Sequence, residues 1–127
     1  MATALVVDDS RIIRNGLKNV LEKLGHVVVG EAENGFDGVN LYKELYPDIV
    51  TMDITMPAKS GVKNGIDAVK QIKKFDEFAN IIMITAHGEE QKVMQSIRNG
   101  AKGYILKPIT RDKVRESIER VGFTSDS

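Results

Sequence analysis

Short apolar runs alternate along the chain with longer stretches in which apolar residues recur every three or four positions. The runs are ALVV (Ala4 to Val7), VVVG (Val27 to Gly30), DIVTM (Asp48 to Met52), IIMIT (Ile81 to Thr85) and GYIL (Gly103 to Leu106). Each is too short for a helix and rich in Val, Ile or Leu, which predicts strands buried on both faces. Ile13, Leu17, Val20, Leu21 and Leu24 form a helical stripe that Gly25 ends. Tyr42 and Leu45 mark a second helix closed by Pro47, with Gly38 inside it where a small residue can pack on the sheet. Ala68, Val69 and Ile72 mark a third helix. Val93, Met94 and Ile97 mark a fourth, with Glu89 and Glu90 in its first turn and Gly100 past its end. Val114, Ile118 and Val121 mark a fifth, with Thr110 as its N-cap.

Strand and helix therefore alternate five times with short links. Such alternation means right-handed crossovers and a doubly wound parallel sheet with helices on both faces. Ligands of these sheets bind outside the carboxyl ends of the strands, where the strand order reverses.

Composition narrows the class. At 127 residues the chain is one domain, and its 18 basic and 18 acidic residues give no net field to draw nucleic acid or an anionic membrane. No cysteine is present, which excludes disulfides, zinc thiolates and thiol catalysis. No apolar run approaches the roughly 20 residues of a membrane helix, and the opening MATALVV does not read as a signal peptide. A soluble, cytoplasmic protein is expected.

The residues that close the strands carry the chemistry. Strand one runs into Asp8 and Asp9, strand three into Asp53, strand four ends at Thr85, and strand five is followed by Lys107. Adjacent acids after a strand are often solvated loop residues or helix caps. Three carboxylates at one sheet edge, however, raise one another's pKa unless a cation sits among them. Oxygen-only ligands suit a hard cation such as Mg²⁺. An Asp beside Mg²⁺, a hydroxyl and an ammonium can act as a nucleophile toward phosphorus, and phosphoryl transfer asks chiefly for positioning and charge neutralisation.

VVDDS, DIVTMDITMP, MITA and KGYILKPI, in this order and spacing, resemble the receiver domains of two-component response regulators, CheY-like in size. The likeness covers residues 3 to 121 and implies a receiver over 1–122 with a short tail over 123–127. The flavodoxin/CheY-like strand order 2-1-3-4-5 comes with the resemblance. So do the roles. Asp53 would be the phosphoacceptor, supplied by a histidine kinase. Asp8, Asp9, Asp53 and the Thr55 backbone carbonyl would hold Mg²⁺. Lys107 would meet the phosphoryl group, with a cis Lys107–Pro108 bond, and Thr85 and Tyr104 would form the switch pair. The resemblance further implies a signalling protein and not an enzyme. It would be monomeric, with pairing on phosphorylation as an option, and would bind a downstream target through its fourth helix, fifth strand and fifth helix. Chemotaxis is one setting for such a protein. A phosphorelay intermediate, a phosphate sink or a fragment of a larger regulator are the alternatives.

Other details stand apart. PAKSGVKNGIDA (Pro57 to Ala68) reads as an insertion of about four residues in the loop Ala58 to Asn64. It is either a neutral surface insertion or, through Lys59 and Lys63, a shaper of access to Asp53. Thr55 and His87 flank the site and are candidates for tuning the phosphate's lifetime, whereas His26 is assigned only a polar turn and the tail FTSDS is expected to fray. A dehalogenase-type phosphatase would want a second Asp where Thr55 stands. A flavodoxin-type FMN binder would not place two carboxylates after strand one.

Overall fold

In the computed structural model, which describes residues 1–126, the apolar runs become β1 (Thr3–Val7), β2 (Val27–Ala32), β3 (Ile49–Asp53), β4 (Ile81–Thr85) and β5 (Gly103–Leu106). They pair in parallel in the order β2-β1-β3-β4-β5. Between them lie α1 (Arg11–Lys23), α2 (Gly35–Leu45), α3 (Gly65–Phe75) and α4 (Glu90–Arg98), and α5 (Arg111–Arg120) closes the order. Side chains alternate across a strand, so each run feeds two cores. Leu5, Val7, Val50, Met52, Ile81 and Met83 pack with Val39, Val69 and Ile72 on the face covered by α2 and α3. Ala4, Val6, Ile49, Ile82 and Ile84 pack with Leu17, Leu21, Val114 and Ile118 on the face covered by α1 and α5.

Double-sided burial holds for β3 and β4 throughout and for all of β1 except the partly buried Thr3, but not for β2. Val27 and Val29 stay 45% and 38% exposed. β2 is an edge strand, and helix cover thins toward a sheet edge. It also runs two residues past the expected end, to Ala32, and the expected β3 shifts by one residue to finish on Asp53. Partial exposure of β5 has the same cause.

Ser10, Asn34, Asn64 and Thr110 start α1, α2, α3 and α5, each accepting from the backbone N–H three residues on. Such a cap contributes about 1 kcal/mol. Gly38 does lie on the sheet, since a Cβ there would fall 2.9 Å from Val7 Cγ2. The 58–64 loop is a built element. Lys59 and Val62 exchange both backbone hydrogen bonds, at 3.0 and 2.9 Å, around Ser60 (φ 49°) and Gly61 (φ 85°). Two positive φ values in a row make a type I′ turn. Val62 is buried in the core beside Gly35, and Lys59 Nζ pairs with Asp37 at the start of α2, 3.0 Å away. Lys59 is thus committed to α2.

The tail does not fray as expected. Phe123 packs on the α1/α5 core, and Asp126 donates its N–H to the Leu24 carbonyl at 2.8 Å. Ser127, the end of the expected 123–127 tail, lies outside the described residues. His26 is more than a turn residue. It is 3% exposed, its Nδ1 accepts from the Ala2 N–H at 2.9 Å, and its Nε2 lies 2.7 Å from Ser125 Oγ. No helix among the described residues is long and apolar enough to cross a membrane.

Candidate functional site at the carboxyl edge of the sheet

β1 and β3 are register neighbours up to Val7 and Met52, so the residues that follow meet at the sheet's edge. Asp8 (1% exposed) and Asp53 (5%) are buried there, while Asp9 is open to solvent. One carboxylate oxygen from each of Asp8, Asp9 and Asp53 can be chosen so that all lie within 4.8 Å of one another. Asp8 is rigidly held. Its Oδ1 accepts from the Ser10 N–H at 2.9 Å, and its backbone carbonyl accepts from Arg14 Nη1 at 2.8 Å. Arg14 is itself buried in α1 and paired with Glu31 of β2.

Charge balance at this edge is poor. Burial pushes the Asp53 carboxyl up to about 7, reinforced by the charge of Asp8 and only partly offset by Lys107, whose Nζ stands 3.7 Å from Asp53 Oδ1. Burial likewise raises Asp8, against the pull of the Ser10 N–H. Asp8 Oδ2 is buried and has no hydrogen-bond partner. A buried carboxylate oxygen without a partner costs of the order of 1–3 kcal/mol, so the cluster fits a cation. Its all-oxygen donor set fits a hard divalent one.

The remaining residues surround this cluster. Thr85 closes β4 directly after Ile84, the register partner of Asp53, and is 2% exposed. Lys107 follows β5, its N–H donating to the Thr85 carbonyl at 2.8 Å, and the Lys107–Pro108 bond is cis. Tyr104 is 55% exposed. A cavity of about 250 Å³, lined by Thr85, Ala86, Glu90, Val93, Met94, Tyr104 and Leu106, lies between the two. Thr55 and His87 are both exposed at the rim. Gly65 opens α3 against the backbone at the end of β3. Its N–H donates to Ile54 O at 2.8 Å, and a Cβ would fall 2.1 Å from the Asp53 carbonyl oxygen. Glycine is therefore required there.

Sequence reasoning missed Glu89. Its carboxylate turns away from its own helix and accepts from Ala86 N–H (2.7 Å) and Thr55 Oγ1 (2.6 Å), and it shares the Thr85 hydroxyl with the Ala86 carbonyl, each 3.3 Å from Thr85 Oγ1. Burial works against its ionisation, but the hydrogen bonds from Thr55, Ala86 and Thr85 prevail and hold the carboxyl below the usual range.

Known proteins resemble this chain in sequence and in fold. The chain is 48% identical over 117 residues to the chemotaxis protein CheY of Thermotoga maritima, covering 92% of this chain and 94% of that one. It is 47% identical over 116 residues to CheY of Bacillus subtilis, covering 91% and 93%. A crystal structure of a CheX–CheY–BeF3–Mg complex from Borrelia burgdorferi superposes with a TM-score of 0.87 at 37% identity, over 96% of this chain and 90% of that one. The response regulator receiver domain model matches residues 4–119. With the 2-1-3-4-5 sheet and the acidic cluster at its carboxyl edge, the chain belongs to the response regulator receiver domains, the phosphoacceptor modules of two-component signalling.

Proposed function

We propose that the protein is a phosphorylation-driven switch in which Asp53 accepts a phosphoryl group from the phosphohistidine of a histidine kinase. The observation that carries this reading is the unpartnered, buried Asp8 Oδ2 beside an Asp53 whose carboxyl is pushed up to about 7. Asp8, Asp9, Asp53 and the Thr55 backbone carbonyl would hold Mg²⁺, which supplies charge neutralisation for the incoming phosphoryl oxygens. Asp53 Oδ forms the new O–P bond as the N–P bond of the phosphoimidazole breaks, and the freed imidazole nitrogen takes a proton from solvent. Lys107 offsets the charge of one phosphoryl oxygen, and the Thr85 hydroxyl donates to another. The protein promotes its own phosphorylation and dephosphorylation but turns over no external substrate. Thr55 and His87, at the rim, tune the lifetime of the phosphate.

The added group brings about −1.5 to −2 charges. Thr85 moves toward it, and the cavity between Thr85 and Tyr104 receives the tyrosine ring. This changes the surface of α4, β5 and α5, where Met94 and Ile97 are 51% and 39% exposed. A protein target docks on that surface. Relatives named chemotaxis protein CheY support a chemotaxis role, and the Borrelia complex supports both the metal and a protein partner. The protein would act in the cytoplasm.

The test is intact mass after incubation with acetyl phosphate and Mg²⁺, beside Asp53→Asn and a metal-free control. One phosphoryl adduct that needs both Asp53 and Mg²⁺ supports the reading. Absence of an adduct together with absence of beryllofluoride binding overturns it.

A further inference from the structure

Among the helices, α4 begins differently. α1, α2, α3 and α5 start on a Ser, Asn or Thr whose side chain accepts from the helix backbone, whereas Glu89, the residue that starts α4, makes no such bond. Its carboxylate instead takes up the Ala86 N–H and the hydroxyls of Thr85 and Thr55. Thr85 follows Ile84, the register partner of Asp53, Ala86 comes next, and Thr55 lies two residues past Asp53, so an anion already occupies donors that flank the acceptor.

We propose that Glu89 is an internal occupant of the phosphoryl donor set and must withdraw before Asp53 can carry a phosphoryl group in its bonded position. This rests on the reading of Asp53 as the acceptor. A hydroxyl has one proton to donate and a backbone amide has one. Thr85 Oγ1 and Ala86 N–H therefore serve either Glu89 or the phosphoryl oxygens, not both. Two anions in one partly dry site also repel. Because Glu89 is the N-cap of α4, its withdrawal is felt at once by the helix that carries Val93 and Met94 of the cavity wall. Glu89 thus sets the threshold for activation and links the phosphate to α4.

The experiment titrates the Mg²⁺-saturated protein with beryllofluoride and follows the Ala86 amide by NMR. Glu89→Ala should bind about tenfold tighter, the equivalent of one competing charge-assisted hydrogen bond removed. Glu89→Gln, which keeps the side chain's size should the alanine variant loosen α4, should fall between it and wild type. Glu116→Gln removes an equal, exposed charge on α5, and its affinity should change by less than about twofold. The Ala86 resonance should differ between free wild type and free Glu89→Ala but coincide in their bound forms, because by then the carboxylate has left. Wild type that binds, with Glu89 variants that bind no tighter, would sink the occupant role and leave the acceptor reading standing. The occupant role fails equally if Glu116→Gln gains as much, or if the bound Ala86 signals differ. If no form of the protein binds, the acceptor reading falls and takes this one with it.

Discussion

Thr3 and Asp48 meet at the amino ends of β1 and β3, and Asp8 and Asp53 meet at the other ends of the same two strands. At the amino end the polar groups bond one another. Thr3 N–H and hydroxyl donate to Asp48 Oδ2 at 2.8 and 3.2 Å, Asp48 N–H donates back to Thr3 Oγ1 at 2.9 Å, and Asn80 Nδ2 donates to the Asp48 carbonyl at 3.1 Å. Ala2, His26 and Ser125 complete a second network alongside. At the carboxyl end three carboxylates converge, and Asp8 Oδ2 has no partner. One end of the sheet closes the fold with polar groups. The other holds polar groups at a cost in stability that an arriving cation can relieve, which is how a binding site comes to differ from a well-capped sheet edge.

Removing the strained charge should therefore stabilise the protein. Asp53 is raised to about 7 in the folded chain from the ordinary 3.8. Below pH 4 the group is neutral in both states and costs nothing. As pH rises from 4 to 7 only the unfolded state ionises freely, so stability falls across that window and levels off above it. Asp53→Asn should gain about 2–4 kcal/mol in metal-free buffer at pH 8 and almost nothing at pH 4. Saturating Mg²⁺ should shrink the gain. Urea unfolding at the two pH values, with EDTA or Mg²⁺, measures it. An asparagine that destabilises at pH 8 without metal would mean that the two ends of the sheet do not differ in this way.

The amino end should show the opposite slope. Burial lowers the His26 pKa, helped by the N-terminal amine and resisted by Asp126. Nδ1 accepts from Ala2, which leaves the ring proton on Nε2 facing Ser125. Protonating Nδ1 would set two donors against each other. A depressed histidine contributes stability that is present above pH 6.5 and is lost as pH falls. In the Asp53→Asn background, which removes the Asp53 contribution and leaves that of the raised Asp8, His26 should pull stability down from pH 7 toward pH 5. His26→Ala should cost about 2 kcal/mol at pH 7.5 by orphaning the Ala2 N–H, and should flatten that decline. If the decline survives the substitution, another group is responsible for it.

What can be read from the sequence follows the same division. Asp8, Asp9, Asp53, Thr85 and Lys107 are legible because each lies at or just past the end of an apolar run, and a parallel sheet brings such ends together. The amino-end network is not, because His26 and Ser125 lie 99 residues apart and no periodicity links them. Glu89 is legible only as a helix-opening acid. The signal that singles it out is what HGEE lacks, a Ser, Thr, Asn or Asp ahead of the α4 stripe. β2 reads as fully buried because composition reports propensity, whereas edge position follows from strand order. The KSGV turn reads as a plain insertion, although a Gly-containing pair between two bridging residues is what a type I′ turn requires.

An unpartnered polar atom marks a site only where something can come to it, and Thr51 provides the control. Among the described residues, its Oγ1 and Asp8 Oδ2 are the buried side-chain oxygens without partners. Thr51 lies within β3, 1% exposed, with Val6 and Ile82 as register neighbours on either side. These neighbours are apolar and belong to the α1/α5 core, which offers neither a donor nor a route for an ion. Valine has the same branched shape and an equal fit to a strand, so Thr51→Val exchanges an unpaired hydroxyl for a methyl group. Stability should rise by about 1 kcal/mol, independent of pH and Mg²⁺. The yield of Asp53 phosphorylation should stay at the wild-type value, in contrast to any change at Asp8. A Thr51→Val variant that lost Mg²⁺ affinity would show that the hydroxyl supports the end of β3, and the boundary between core and site would have to be drawn one residue pair deeper into the sheet.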